Sequence, residues 1–460
     1  MVTSPRASPN HKLARKITTT GTARVGAGLW PVLFTANITP MTIKRNFQVV
    51  NSYQGNNIGQ NVTSQLQQLT IQDMEQMMGR AQQNPQMLAI QTMAEPAFNQ
   101  TRVVDNHSHL LSSNILLRLD NDWQLRANVS YLNHGHKQIG SQNLTYYLPA
   151  GELFLTETMQ NNLKDHYIQG EFNLGRNAKN NYLDNKTKFE TRWDYRNGAI
   201  ASNQAQKGQD LRNPFTSFAN NLRPVNAIGS RLVEFTSDIN YGHSPHTLIA
   251  YPGGFEQAIS QDAEIDSLRQ NLDMKKLSVQ HTASFSFVWK NITFTPRVGH
   301  SFRKNLLEND LRVFDGTSWS NPGANFSNSL EATHHEAFAE TGLKYRCGQS
   351  TIRGHLPIAW QKMDMLDRSH DAGQSLARLT ISPGAGFSYQ FKGFWHLHGS
   401  YCYRQNVGSH DSVYSGYLLR SINSLTRNGA PWSQTTSHTA SLLVQYRNSI
   451  IGFFNNANMA

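Results

Sequence analysis

Residues 379–391, Leu379-Thr380-Ile381-Ser382-Pro383-Gly384-Ala385-Gly386-Phe387-Ser388-Tyr389-Gln390-Phe391, put apolar side chains at the odd positions and small or polar ones at the even positions. A helix repeats every 3.6 residues and cannot collect these side chains into one apolar stripe. An extended chain, whose side chains alternate between two faces, does so directly. The same period returns elsewhere. Leu125, Ala127, Val129 and Tyr131 alternate with Arg126, Asn128 and Ser130. Phe189, Thr191, Trp193 and Tyr195 alternate with Lys188, Glu190, Arg192 and Asp194, and Val233, Phe235 and Ile239 with Glu234, Thr236 and Asp238. These segments are expected to be strands with one apolar and one polar face.

Short connections rich in Asn, Asp and Gly separate such strands at 120–122, 175–180, 225–230, 290–291, 346–349, 392–393 and 447–449. Asn, Asp and Gly tolerate the positive φ of tight hairpins. The other connections, 132–164, 197–213 and 242–280, read as long polar loops. A further hairpin is expected from 28–38 and 45–53, which makes eight hairpins and about sixteen strands. Short turns at one end and long loops at the other are the arrangement of outer-membrane barrels.

Composition agrees. Of 460 residues only 38% are hydrophobic and 16% charged, yet 10% are aromatic, with 22 Phe, 16 Tyr and 8 Trp. A disordered chain would lack those aromatics, and a soluble enzyme would carry more surface charge. A wall with lipid on one side and water on the other needs apolar and neutral polar residues in similar shares. No apolar run approaches the roughly 18 residues of a membrane helix, so spanning would be by strands. Trp123, Trp289, Tyr345, Phe391, Phe394, Trp395 and Tyr446 lie beside the short turns, as an aromatic girdle would.

The net charge of +11 is dispersed rather than gathered in runs, which argues against nucleic acid as a partner and for a lumen or rim that attracts anions. Arg126, Lys188, Arg192, Arg297, Lys344 and Arg353 share the polar faces with Glu190, Asp194, Glu234, Asp238 and Glu340, and mutual pairing is the simpler expectation. Cys347 and Cys402 form neither a disulfide framework nor a metal knuckle. His107/His109, His134/His136 and His396/His398 are His-x-His pairs whose members share a face in a strand, and His334 and His335 are adjacent. Without a third ligand they read as polar wall or loop residues, so no metal and no cofactor are assigned. Gly-x-Ser-x-Gly, phosphate-loop and His-Glu-x-x-His motifs do not occur, and no catalytic residue is assigned. Residues 71–81, with Met74, Met77 and Met78 on one side, read as a short helix packed on the barrel.

Several strings resemble those of TonB-dependent outer-membrane receptor barrels: Asn51-Ser52-Tyr53-Gln54-Gly55-Asn56-Asn57 with Val62-Thr63-Ser64-Gln65-Leu66 as a loop, Val104-Asp105-Asn106-His107-Ser108-His109-Leu110 and Tyr146-Tyr147-Leu148-Pro149-Ala150-Gly151 around a hairpin, Arg212-Asn213-Pro214-Phe215, and Arg427-Asn428-Gly429-Ala430-Pro431. The resemblance runs from about Trp30 to the end. It implies an antiparallel transmembrane β-barrel, incomplete here, with the family's regulatory domain and plug absent. It also implies nutrient import energised by the TonB complex through that plug, outer-membrane lipid as surroundings, and a surface lipoprotein as a further partner. The substrate-binding residues are left unassigned. On this reading 1–27 is an atypical basic segment, expected to be disordered, and 28–460 is the barrel fragment with long extracellular loops. The rival expectations are a passive porin-like or structural barrel, and a nonfunctional fragment of a disrupted receptor gene.

Overall fold

A computed structural model of the chain describes residues 17–60, 62, 87–92, 98, 104–149, 151–202, 206–229, 231–259, 265–391, 393–407, 414–429, 434–448 and 450–459. It is an antiparallel all-β protein. A single four-residue α-helix, α1 (Glu256–Ile259), occurs among the described residues.

Contacts gather the strands into two compact units. The first holds β1 (Thr18–Leu29), β2 (Val32–Lys44), β3 (Phe47–Asn56), β4 (Asp105–Arg118), β5 (Trp123–Leu148), β6 (Gly151–Ala178), most of β7 (Asn181–Ser202), and β8 (Gln206–Arg212). Within it β1 to β6 form one ladder in chain order, and β7 pairs with β8. The second unit holds most of β9 (Phe215–Ile228) and β10 (Arg231–Tyr251), then β11 (Ser267–Trp289), β12 (Ile292–Phe314), β13 (Trp319–Ser320), β14 (Ser327–Cys347) and β15 (Ser350–Asp367). It continues with β16 (Ala372–Ile381), β17 (Gly384–Phe391), β18 (Trp395–Val407), β19 (Tyr414–Ser421), β20 (Ser424–Asn428), β21 (Gln434–Asn448) and β22 (Phe453–Met459). Its ladder runs β11–β12–β14–β15–β17–β18–β21–β22, with β16 on the far part of β15 and β19–β20 as a separate hairpin.

Tight turns join Lys44 to Phe47, Arg118 to Trp123, Ala178 to Asn181, Ile228 to Arg231, Trp289 to Ile292, Cys347 to Ser350, Phe391 to Trp395 and Asn448 to Phe453. Asn121 and Asp122 adopt φ of 58° and 65°, the left-handed pair that matches strand twist in a two-residue hairpin turn. The expected eight short turns are therefore all present.

Near these turns one face of each ladder is apolar. In the second unit Phe294 lies opposite Leu343, Val298 opposite Ala339, and Ala339 opposite Ile358. Tyr345 faces Ile352, which faces Phe387, and Trp395 faces Tyr446. In the first unit Leu125 is flanked by Leu117 and Leu174, and Tyr131 by Leu111 and Ile168. This face is not a core. Phe189, Trp193, Phe387 and Tyr389 are 42%, 48%, 44% and 43% exposed. A water-soluble two-layer fold would have buried them, because each aromatic side chain contributes about 1.5–3 kcal/mol when removed from water.

Farther from the turns the two faces exchange character. On β15 the exposed face runs Ile352, Leu356, Ile358 and Trp360, then turns charged with Lys362 and Asp364. The opposite face begins Thr351, Arg353, His355, then becomes buried with Met363 and Met365. On β12, Phe294 and Val298 give way to Lys304, Glu308 and Asp310, while the other face passes from Thr295 and Arg297 to buried Leu311 and Val313. β5 behaves alike: Leu125 to Tyr131 on one face lead to Lys137, and Arg126 to Ser130 on the other lead to buried Leu132. The exposed apolar stretch is about ten residues long, which at roughly 3.3 Å per residue and a tilt near 40° spans about 25 Å, the height of a barrel's lipid-facing band.

Five expectations need correction. Strand β1 already occupies Thr18–Leu29, so the strand region starts ahead of the expected boundary at residue 28 and residues 18–27 are ordered in a ladder. The predicted strand 28–38 is cut between Leu29 and Val32, because Pro31 has no N–H to give the ladder, and the hairpin partner of β3 is β2. The stretches 132–164, 197–213 and 242–280 are mostly strand, not loop: β5 and β6 stay paired to Leu148↔Gly151. Polar residues there were mistaken for loop because both faces of these extensions are mixed. The string at 51–57 is, through Asn56, not a loop but the end of β3, and the string at 104–110 opens β4 from Asp105. The count of about sixteen strands leaves out β1, β8 and the small β13, β19 and β20, and takes β16 and β17 as one strand. The helix expected at 71–81 lies outside the described residues, as do residues 1–16.

Candidate functional site

The polar face of the first unit carries a ladder of ion pairs that climbs away from the short turns. Lys186 pairs with Glu171 at 3.2 Å, Lys188 with Glu190 at 3.2 Å, and Arg192 with Glu190 and Asp194 at 3.7 and 3.9 Å. Arg196 then bridges Asp194 and Asp165 at 3.5 and 3.7 Å. Alternate residues of β7 share one face, so a polar period of two becomes a continuous track of alternating charge. Lys188 and Arg192, expected to find carboxylate partners, do so with Glu190 and Asp194.

Above the ladder this face is covered by residues from the connection between β3 and β4. Asn106 ties the two strands: its Nδ2 donates to Asn56 Oδ1 at 3.2 Å, and its Oδ1 accepts from the Gly59 N–H at 2.6 Å. Val62 packs on Leu110 and Leu132. Farther along, Gln91 lies against β6 and β8. Gln209 accepts from its N–H at 2.8 Å and donates to its carbonyl at 2.9 Å, and Asn161 donates to the same carbonyl at 3.0 Å. Both amide side chains are fully buried, so the backbone of this segment is held as firmly as in a sheet.

In the second unit the polar face near the turns is cation-rich. Arg297 pairs with Glu340 at 3.1 Å, and the His355 ring lies 3.6 Å from the other oxygen of Glu340. Lys344 stands opposite Arg353 in the ladder. Ser400 and Ser441 hydrogen-bond at 2.7 Å, and Gln390 and Gln445 flank His396. Farther from the turns the β19–β20 hairpin folds onto this face. Leu418 and Leu419 are fully buried, as are Leu268, Leu272 and Leu311 of β11 and β12. Asn328 of β14 accepts from the Gly416 N–H at 2.7 Å and donates to the Gly416 carbonyl at 3.3 Å, while Gln270 accepts from the Leu419 N–H at 2.9 Å. A Cβ on Gly416 would lie 2.5 Å from the Ser327 carbonyl, so this close approach requires glycine.

The histidine pairs are separated by the fold. His134 and His136 lie on the polar-parity face with ring centroids 5.2 Å apart, and His134 Nδ1 is 2.7 Å from Ser108 Oγ. His107 and His109 point from the opposite face of β4; the His107 ring fills the space beside Gly135. His396 and His398 stack in parallel at 6.3 Å. His334 and His335 diverge, the former buried and the latter tilted against Phe302 at 4.8 Å. Among the described residues no group of three or more His, Cys, Asp or Glu side chains is arranged to hold a metal ion. Cys347 and Cys402 are free thiols.

The expected aromatics beside the short turns are in contact. Phe391 stacks on Trp395 at 5.9 Å, Trp395 meets Tyr446 edge-on at 5.0 Å, and Phe294 stacks on Phe287 at 5.1 Å. Arg176 lies 5.6 Å from the Trp123 ring centroid and Lys290 5.2 Å from that of Trp289. The sequence pattern does not reveal the segments packed on the polar face: Gln209 falls in the expected loop 197–213, and Gln91, Asn328 and Gly416 carry no expectation at all. The only signal for them was apolar residues appearing on the polar parity at Leu110, Leu132, Leu311 and Met363.

No protein-family model matches the chain, and no curated protein matches it. Among solved structures the chain is similar to the closed form of the ferric-catecholate import receptor Fiu from K12 E. coli, at 8% identity and a TM-score of 0.33, covering 94% of this chain and 74% of that one. It is similar to the ferric yersiniabactin uptake receptor FyuA from Yersinia pestis at 8% identity and a TM-score of 0.36, covering 93% and 72%. The translocator domain of the autotransporter NalP from Neisseria meningitidis is matched at 12% identity and a TM-score of 0.23, over 70% and 88%. TM-scores this low carry no weight; what stands is the class defined by the chain's own ladders, an antiparallel β protein with an exposed apolar band.

Proposed function

We propose that the chain forms the wall and outer extensions of a TonB-dependent outer-membrane receptor that imports a nutrient, coupled to the TonB complex through a plug. The observation that carries the membrane part is the exchange of faces along β5, β12 and β15. For about 25 Å from the short turns the outward parity is apolar and exposed; beyond that it is charged, and the opposite parity becomes a packed core. Hydrocarbon outside the first zone and water outside the second account for both halves with one orientation. A Lys or Arg in the apolar zone would cost about 2–4 kcal/mol at mid-bilayer, and there the charges of β7 lie on the other parity. The strings that resemble those of the receptor family support the finer reading.

Expression of the chain with an export signal in a Gram-negative host tests it. The expected result is recovery in the outer-membrane fraction, with a mobility on gels that changes on boiling. Recovery as a soluble periplasmic protein would sink the proposal. The docking of β19–β20 on the polar face favours one second reading, a passive pore narrowed by an inward-folded loop. Solute flux through reconstituted vesicles without any energy source would select that reading over energised import.

A further inference from the structure

On the exposed apolar face, at the level where apolar side chains give way to charged ones, one arrangement occurs three times. Tyr53 of β3 bonds His109 of β4 (Oη to Nδ1 2.9 Å), Tyr131 of β5 bonds His166 of β6 (3.2 Å), and Tyr401 of β18 bonds His438 of β21 (2.8 Å). Each time the Tyr is on the strand leaving a short turn, and the His on the neighbouring strand stands opposite the residue two places beyond that Tyr: Gly55, Asn133 and Tyr403. The diagonal is the same in all three. At the first site a Cβ on Gly55 would lie 2.6 Å from the Tyr53 hydroxyl, so the missing side chain makes room for the bond. Two further histidines of this face contact Phe rings, His281 stacked on Phe235 at 6.1 Å and His335 tilted against Phe302 at 4.8 Å.

Beyond these rings this face carries charged residues in each unit, Lys164 and the Lys137–Asp105 pair in the first and the Lys304–Glu331 and Lys362–Asp364 pairs in the second; below the rings it carries Val129 and Phe172 in the first and Leu442 and Trp360 in the second. The rings therefore sit between hydrocarbon-type and water-type surface. A Tyr hydroxyl that donates to Nδ1 fixes the imidazole proton on Nε2 and leaves that second nitrogen as a donor. We propose that the three Tyr–His pairs are binding points for the phosphate of membrane lipid headgroups, each Nε2–H donating to a phosphate oxygen. This rests on the membrane reading above. The Tyr supplies orientation and an amphipathic ring, and the His supplies the donor.

The test uses the full chain reconstituted in vesicles that mix phosphatidylglycerol with a phosphate-free galactosyl diglyceride, and reads the lipid retained around the protein by native mass spectrometry. Wild-type protein should prefer the phospholipid. The His109→Phe, His166→Phe, His438→Phe triple variant should still enter the vesicles but lose that preference, by roughly fivefold for each donor removed. The corresponding His→Gln triple variant, whose amide nitrogen also donates, should recover part of it. Unchanged preference in the Phe variant, or equal loss of both lipids, would overturn the proposal. Loss of preference on adding inorganic phosphate would overturn it too, by making this a free-anion site. Failure of the wild-type chain to enter vesicles would instead bring down the membrane reading.

Discussion

In β5, β12 and β15 the half beside the short turn and the half beyond it are built from the same period of two, with opposite results. Beside the turns, Leu356, Ile358 and Trp360 of β15 are exposed while Arg353 and His355 occupy the polar face. Beyond, Met363 and Met365 are buried on that polar parity and Lys362 and Asp364 take the exposed one. Alternation by itself therefore does not say which face is inside. What decides it is the medium on each side, and the change of medium partway along a strand is written as an exchange of parities.

Four substitutions or conditions break or sharpen this contrast. Leu419→Ala removes a fully buried side chain from the far half and should destabilise the docked β19–β20 hairpin by about 2–5 kcal/mol, read as faster amide exchange at Gly416 and Leu419. Leu356→Lys places a charge in the apolar band and should cost about 2–4 kcal/mol of folding free energy in bilayers. Leu366→Lys, on the same parity in the far half, should stay within about 0.5 kcal/mol, and equal penalties at the two positions would erase the contrast. Asn328→Ala leaves both Gly416 backbone groups without their partner and should cost about 1–3 kcal/mol, measured by urea unfolding of the reconstituted protein.

The smallest effect belongs to the turn after β12. Hydrogen bonds from the Thr317 hydroxyl, and from the Ser318 and Thr317 N–H groups, hold the Asp315 carboxyl down at about 2, below its ordinary 3.8. Because the folded value is depressed, its contribution to turn order is complete above pH 4 and fades as pH falls toward 2. The Thr317 and Ser318 amide resonances should move through that window and stay still in Asp315→Ala.

The strand class, the eight short turns and the aromatics beside them are readable from the chain, because near most of these turns apolar residues dominate one parity, as at Ile352, Leu356, Ile358 and Trp360. The pairing of Lys188 and Arg192 with Glu190 and Asp194 was readable for the same reason: residues two apart on a strand share a face. The far halves were not. Lys137, Asn161 and Gln209 look like loop residues, since polarity there appears on both parities and Leu110 or Met363 breaks the expected pattern. Nor could spacing reveal the Tyr–His diagonals, whose partners are 56, 35 and 37 residues apart and meet only once the register is set.

The hydrogen bond from Leu419 to Gln270 joins residues 149 positions apart, and that from Gly416 to Asn328 spans 88. Loop-closure entropy must be met before contacts this distant return anything, so the β19–β20 hairpin has its landing place only after β11, β12 and β14 have assembled. Time-resolved exchange during refolding should accordingly find Leu419 protected later than the Ile292–Tyr345 ladder, which makes seating of this hairpin the closing step of maturation rather than its seed.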